Sequence, residues 1–301
     1  MDSQTALFQQ HRPRLFGLAY RMLGTPADAE DVLHDAWLRW HAQDSAALDD
    51  AEAWLVTVTT RLALDRLRRA KTERAHYPGP WLPEPLIAES EQPEAQVEQA
   101  ESLTLTFLLL LERLNAEERA AFLLREVFDY SHAEAAAMLG IGEDACRQRV
   151  HRAKAKLREG RPSQPVDTRT QRRLLERFAH ALQQPDRETL RALFTEDALH
   201  VSDGGGVVTA SLHPLHGAER LARLYLQVAL EQSRQGVRHQ LHQLNGAPAL
   251  LSWHGDTLIS ASWIDIDTDG EHITAIHTLR HPDKLARLSA VTKAKAGTSL
   301  H

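Results

Sequence analysis

The chain has 301 residues, 43% hydrophobic and 25% charged, with a formal net charge of −6 and a single cysteine. Such a length and composition predict two or three domains of an ordinary soluble globular protein. One cysteine excludes an internal disulfide framework or a thiolate metal cluster, and no run of about 18 apolar residues exists to span a membrane. With no apolar secretory segment near the start, the expectation is a cytoplasmic protein without metal or cofactor.

A net charge of −6 argues against a surface that grips nucleic acid everywhere, yet the charge is uneven. Arg61, Arg66, Arg68, Arg69 and Lys71 form one basic cluster, and Arg147, Arg149, Arg152, Lys154, Lys156 and Arg158 form another. Glu84, Glu89, Glu91, Glu94, Glu98 and Glu101, between them, are acidic. The mean thus conceals two local candidates for an anionic ligand.

"RPRLFGLAYRMLGTPADAEDVLHDAWLRW" reads as two helices broken at Gly24-Thr25-Pro26, with Thr25 placed to cap the second and Pro26 in its first turn. Val32, Leu33, Ala36, Trp37 and Trp40 recur at helical spacing and are expected inward, which leaves Asp28, Glu30, Asp31 and Asp35 on an acidic face. "DAEAWLVTVTTRLALDRLRRAK" predicts a third helix with Trp54, Leu55, Val58 and Leu62 inward and an arginine-rich far end. Taken alone, these charges equally describe a solvated face.

Next comes "YPGPWLPEPLIAESEQPEAQ", residues 77–96. Pro78, Pro80, Pro83, Pro85 and Pro93 bar helix and sheet, and push their predecessors into extended geometry. A plain spacer has no need of Trp81 or of Leu86-Ile87. Two readings stand: a preordered ligand with Trp81 as its anchor, or a stiff rod between helical segments.

"LNAEERAAFLLREVFDYSHAEAAAMLGIGEDACRQRVHRAKAKLRE" is more specific. Asn115 with Glu118, and Ser131 with Glu134, are capping-box pairs, and Gly140 is placed to end a short helix in left-handed geometry. In the next helix Cys146, Val150, Ala153 and Leu157 share one face, while Arg147, Gln148, His151 and Arg152 occupy the other. Short capped helix, tight turn and basic second helix predict a helix-turn-helix rather than a plain helical hairpin. Cys146 falls on the buried face and reads as structural.

These blocks closely resemble, over residues 5–160, the bacterial sigma-70 family of initiation factors of the extracytoplasmic-function type. The resemblance implies that the helix Asp28–Trp40, through Asp28, Glu30, Asp31 and Asp35, docks on core RNA polymerase at the clamp helices of the beta-prime subunit. It implies that Asp44 to Lys71, with Arg61, Arg66, Arg68 and Arg69, reads and melts the −10 promoter element. The helix Glu143–Leu157, with Arg147, Gln148, His151 and Arg152, would enter the −35 element. Gly142 departs from the Ser or Thr frequent there.

Residues 166–290 exceed what two such regions need. Residues 170–206 read as an amphipathic helix, a short helix and a strand ending in glycines. "AERLARLYLQVALEQ" reads as a helix with Leu221, Leu224, Tyr225 and Val228 inward. "ALLSWHGDTLISASWIDIDTDGEHITAIHTLRH" reads as three strands turning at His254-Gly255-Asp256 and Thr268-Asp269-Gly270. This α+β pattern resembles the SnoaL-like, cone-shaped extension of a sigma subgroup with WLPEP, DGGGK and NPDKL motifs. Here they stand as "WLPEP" at 81–85, "DGGGV" at 203–207 and "HPDKL" at 281–285, with Val207 for Lys and His281 for Asn. The resemblance implies a regulatory contact among Trp81, Leu82, Pro83, Asp203, Gly204, Gly205, Gly206, Pro282, Asp283 and Lys284.

The expected architecture is therefore multidomain. Two all-α sigma domains (5–72, and a helix-turn-helix at 99–161) are joined by a proline-rich linker (73–98) and followed by an α+β cone-shaped SnoaL-like domain (166–290). The expected function is promoter-specific initiation, tuned by contact of the fused domain with the sigma regions and linker. The cone leaves room for an unidentified small ligand. An alternative is a small-molecule sensor or SnoaL-like enzyme carrying a DNA-binding half. For that alternative His277, sharing a strand face with Ile273, Ala275 and Leu279, would point into the cone with Asp203 or Asp265 as carboxylate partner. A satisfied core histidine and a docking loop at Asp203 are the preferred readings.

Overall fold

The computed structural model describes residues 3–43, 48, 50–87, 104–158 and 167–298. The chain falls into two compact units. One comprises Met1–Ala75 and Phe107–Arg161, and the other His76–Thr106 and Pro162–His301. The two helical segments thus share one unit, while the start of the proline strap goes with the C-terminal one. Glu89, Glu91, Glu94, Glu98 and Glu101 of the acidic stretch lie outside the described residues.

In the first unit, α1 (Ser3–Leu23), α2 (Pro26–His41) and α3 (Ala51–Arg74) pack around Leu15, Tyr20, Met22, Leu33, Trp40 and Leu55, all buried. Thr25 caps α2 by accepting from Asp28 N at 3.2 Å, with Pro26 in the first turn, and Asp50 caps α3 by accepting from Ala53 N at 2.9 Å. α4 (Leu105–Glu112, of this unit from Phe107 on), α5 (Ala116–Phe122), a π-helical turn (Leu123–Val127), α6 (His132–Leu139) and α7 (Glu143–Arg158) follow. Both predicted capping boxes are complete, and Gly140 closes α6 at φ +66°. Each such cap is worth about 1 kcal/mol against an alanine.

The buried face of α3 differs from the expectation. Leu55, Val56, Thr59, Thr60, Ala63, Leu67 and Ala70 are buried, whereas Trp54, Val58 and Leu62 are half-exposed. The helix is covered from two sides, by α1 and α2 and by α5 and α6. Small and β-branched residues let the second neighbour approach, so a single-stripe reading of the large apolar residues misses the true face.

The second unit contains α8 (Thr168–Gln183), α9 (Arg187–Ala192), β1 (Phe194–Asp203), β2 (Leu215–His216), α10 (Ala218–Arg234), β3 (Arg238–Leu244), β4 (Ala247–His254), β5 (Thr257–Ile266), β6 (Ile273–Leu279) and α11 (Pro282–Thr298). The sheet order is β2-β1-β6-β5-β4-β3, antiparallel apart from the β1–β6 pair. β3 pairs with β4 through Asn245-Gly246, both at positive φ (52° and 74°), the geometry that a two-residue hairpin requires.

Leu174, Phe178, Leu221 and Tyr225 from the helices meet Leu250, Ile264, Ile266, Ile273 and Ile276 of the sheet in one core. Phe178 and Tyr225 meet edge to face at 4.9 Å, and Phe194 stacks on Tyr225 at 6.0 Å. Leu224 and Val228 are only half-buried, with Ala222 and Ala229 taking the inward positions that the helix packs most closely.

Candidate functional site

The acidic face of α2 divides in two. Asp31 and Asp35 are exposed. Asp28 instead accepts from the Thr25 hydroxyl at 2.6 Å and from Arg66 Nε at 2.9 Å, and Glu30 pairs with Arg12 at 2.6 Å. Asp31 and Asp35 are therefore the carboxylates offered outward, beside Leu38, an apolar side chain 53% exposed.

The basic end of α3 divides likewise. Arg69 is exposed. Arg66 bonds to Asp28 and Glu73, the first of which holds its guanidinium above the usual range. Arg61 Nε donates to Met138 O at 3.0 Å, and Arg68 Nη2 to Glu117 Oε1 at 2.9 Å.

On α7, Cys146, Val150, Ala153 and Leu157 are buried, and Arg147, Gln148, His151 and Arg152 are exposed. Lys154 pairs with Glu126 at 2.6 Å and Lys156 with Glu118 at 2.7 Å, so these two cations fasten the helix to its own unit. Arg147 pairs with Glu143 one turn back, which leaves it on the outward face. Burial pushes the Cys146 thiol up, away from the thiolate that redox chemistry needs.

In the second unit the strap docks on the loop and helix that carry the other two motifs. Asp203 is fully buried: Oδ1 accepts from the Tyr77 hydroxyl at 2.6 Å, and Oδ2 accepts from Leu82 N at 2.9 Å and from Lys284 Nζ at 2.7 Å. Lys284 Nζ also donates to Leu82 O at 2.7 Å and lies 4.3 Å from the centre of the Trp81 ring. Farther along, Leu86 N donates to Asn245 Oδ1 at 2.7 Å while Asn245 N donates to Leu86 O at 2.9 Å. Pro83 is buried in this run.

The glycine loop is pressed against the strap, though not at Trp81. A Cβ at Gly205 (φ +61°) would lie 2.0 Å from His281 Cδ2 and 2.9 Å from the Tyr77 hydroxyl oxygen, and one at Gly206 would lie 2.9 Å from Pro78 Cγ. At Gly204 it would lie 2.6 Å from Val208 O, inside the loop itself. Trp81 anchors on Lys284 instead. Pro282 and Asp283 are exposed and start α11, whose first turn His281 Nδ1 caps by accepting from Asp283 N at 3.2 Å. The His281 ring thereby performs the capping that an asparagine amide would. Val207, where the motif has lysine, is 65% exposed.

His277 does not point toward the helix-lined core. β5 and β6 register Ile264 against Ile276 and Trp263 against His277, with an irregularity between Asp265 and Ile266. Ile273 and Ile276 both belong to the core, so strict alternation from Ile273 gives the wrong face for His277. His277 Nε2 lies 3.0 Å from Asp265 Oδ2, its ring stacks on Trp263 at 5.5 Å, and Asp265 Oδ1 accepts from the Thr106 hydroxyl at 2.6 Å. Burial would raise the Asp265 carboxyl, but the His277 and Thr106 hydrogen bonds outweigh it and hold it low. Of the two carboxylates weighed as partners for His277, Asp265 takes the role and Asp203 is committed to the strap.

Sequence reasoning missed Tyr77, Thr106 and Asn245. Only Asn245 carried a local signal, the Asn-Gly pair of a tight hairpin.

A capped helix-turn-helix with a basic outward face, in one unit with a helical segment bearing exposed acidic and basic residues, is an arrangement suited to reading DNA while holding a protein partner. Residues 7–73 match sigma-70 region 2 and residues 104–157 match sigma-70 region 4. The chain is 35% identical over 226 residues to the ECF RNA polymerase sigma factor SigJ of Mycobacterium tuberculosis, covering 73% of this chain and 71% of that one. It is 30% identical over 292 residues to the probable ECF RNA polymerase sigma factor SigI of the same organism, covering 96% and 97%. The crystal structure of Mycobacterium tuberculosis SigJ superposes with a TM-score of 0.75 at 29% identity, covering 94% of this chain and 98% of that one. The chain belongs to the extracytoplasmic-function (ECF) RNA polymerase sigma factors, which act in transcription initiation.

Proposed function

We propose that this sigma factor works in the cytoplasm, docks on the beta-prime clamp helices of core polymerase through Asp31 and Asp35, and is tuned by its own C-terminal domain through the linker. Arg69 and the α3 guanidiniums serve the −10 element, and Arg147, Gln148, His151 and Arg152 of α7 serve the −35 element. The absence of a membrane-length apolar helix among the described residues is in keeping with this reading.

The observation that carries the tuning role is Asp203. A buried carboxylate bonded to Tyr77, Leu82 and Lys284 fixes the strap to the C-terminal domain. The strap is the covalent tie between the two sigma regions, so a domain that grips it limits how far they part. The helix-facing interior is filled by Phe178, Phe194 and Tyr225, and the His277–Asp265 couple lies on the other face under Trp263 and Thr106. That packing favours a regulatory domain over an enzyme or a receptor for a small ligand.

The test is run-off transcription with purified core polymerase. Asp203→Asn releases the strap and raises promoter output several-fold at unchanged core affinity. Equal output from both proteins sinks the tuning role.

A further inference from the structure

His281, which stands where the motif has asparagine, is the N-cap of α11. Its carbonyl accepts from Leu285 N at 3.0 Å and its Nδ1 accepts from Asp283 N at 3.2 Å, with Pro282 in the first turn. A backbone N–H can only donate, so the capping nitrogen is the bare one and the ring is neutral, its proton on Nε2. An asparagine oxygen makes the same bond without titrating. An imidazole is the side chain that ordinarily changes charge between about pH 5 and 8.

The same ring touches the strap and the glycine loop. It stacks on the Tyr77 ring, with centroids 6.3 Å apart and planes at 17°. A Cβ at Gly205 would come within 2.0 Å of its Cδ2. Arg280 N and His281 N both donate to Asp203 O, at 2.7 and 3.0 Å, which fixes the residue against the end of β1. The charged and titratable groups around it are Tyr77 on the strap, Asp203 ending β1, Arg280 just past β6, and Asp283 and Lys284 on α11. Asp203 is already engaged by Tyr77, Leu82 and Lys284, and Asp283 is exposed. The Tyr77 ring already carries the Lys284 ammonium at 5.4 Å.

A proton on Nδ1 removes the acceptor and leaves Asp283 N facing a second donor. It also sets a cation at the N-terminus of α11, where the helix dipole opposes positive charge, against a ring that already carries an ammonium. Attraction of an imidazolium to Tyr77 does not offset this, because 6.3 Å lies beyond the roughly 6 Å reach of a cation–π contact. We propose that His281 is an acid-sensitive catch on the strap. Neutral, it holds α11, the glycine loop and Tyr77 together; protonated, it loosens them and Trp81 leaves Lys284. Docking requires the bare nitrogen, so the grip is complete at neutral pH and weakens as pH falls through the histidine range. The catch rests on these contacts alone, and its effect on transcription rests on the tuning role proposed above.

The test is fluorine NMR of the full-length protein grown with 5-fluorotryptophan, whose six tryptophans give six signals. Trp81→Phe assigns the strap signal, and Asp203→Asn marks its released position. At about pH 7.5 the wild-type signal should sit at the docked position, and at about pH 5.5 the released fraction should rise several-fold. His281→Asn, an acceptor that does not titrate, should stay docked at both values. His200 is present in both proteins, so its own response cancels in the comparison. His281→Lys, a fixed cation without an acceptor, should be released at both. A wild-type signal that does not move, or an equal movement in His281→Asn, overturns the catch. So does a collapse of the signals of Trp253 and Trp263, both buried in the sheet, onto their unfolded positions. Run-off output, as the ratio of wild type to His281→Asn, should rise about twofold between about pH 7.5 and 6.5. A flat ratio despite strap release defeats the tuning role and leaves the catch standing.

Discussion

Lys284 Nζ lies 2.7 Å from Asp203 Oδ2, and the two side chains are 8% and 0% exposed. A buried ion pair persists only if its remaining valences are filled, and here the linker fills them: Leu82 offers its carbonyl to the ammonium and its N–H to the carboxylate, and Tyr77 adds its hydroxyl. Strap, glycine loop and α11 are thus one polar network, closed only when all three are present.

Removing one partner is predicted to be severe. Lys284→Met leaves Asp203 buried with an uncompensated charge and is expected to cost about 3–5 kcal/mol. Asp203→Asn combined with Lys284→Met should lose less than the sum of the singles, with a coupling of roughly 1–3 kcal/mol. Denaturant unfolding of the four proteins measures this cycle, and additive losses would remove the network from the account.

The α2 face separates docking from folding. Asp31→Lys with Asp35→Lys changes two exposed residues and should abolish core binding with the melting temperature held. Asp28→Lys removes a partner of Arg66 and of the cap and should destabilise by about 1–2 kcal/mol as well. Calorimetry beside a core pull-down distinguishes them; equal melting temperatures for all three proteins would contradict the assignment of Asp28.

On α7, Arg147→Ala or Arg152→Ala should weaken promoter binding by holoenzyme by roughly 1–3 kcal/mol where a base is read. A loss of the same size on every promoter assigns that residue to a phosphate. Lys156→Ala is expected to act on stability, through Glu118, rather than on promoter choice. Competition gel shifts over a promoter panel measure each, and selective loss with Lys156→Ala would reverse the division.

The C-terminal unit should weaken on mild acidification. His200 is buried beside the Tyr225 hydroxyl at 2.9 Å, and burial, helped by His277 and Arg280, lowers its pKa from 6.5 to about 4. Between those values the unfolded chain binds a proton that the folded chain refuses, so stability rises with pH across this window. The contribution is complete above about pH 6.5 and lost toward pH 4, up to about 3 kcal/mol. Urea unfolding from pH 4.5 to 7.5 should show this slope, and His200→Phe should flatten it.

Local chemistry made much of the first unit legible. The boxes at Asn115 and Ser131, the cap at Thr25 and the turn at Gly140 each act within four residues, and all are found as read. The four-residue face of α7 was equally plain, because one neighbouring surface covers it. α3 was misread because two surfaces cover it, and His277 because a strand irregularity shifts the alternation that placed it. Tyr77 and Thr106 were invisible for a different reason. Their partners, Asp203 and Asp265, lie 126 and 159 residues away, and no short-range pattern marks a hydroxyl that closes such a contact. The basic cluster on α3 was visible, but only the fold shows that Arg61, Arg68 and Lys71 of it bond to region 4.

The most direct test of the central claim is initiation itself. Purified full-length protein, added to core polymerase lacking any other sigma factor, is predicted to yield transcripts with one defined start from a subset of genomic fragments. Arg147→Ala should lose part of that subset while core binding persists. Promoter-independent transcription, the same with and without the protein, would contradict the account.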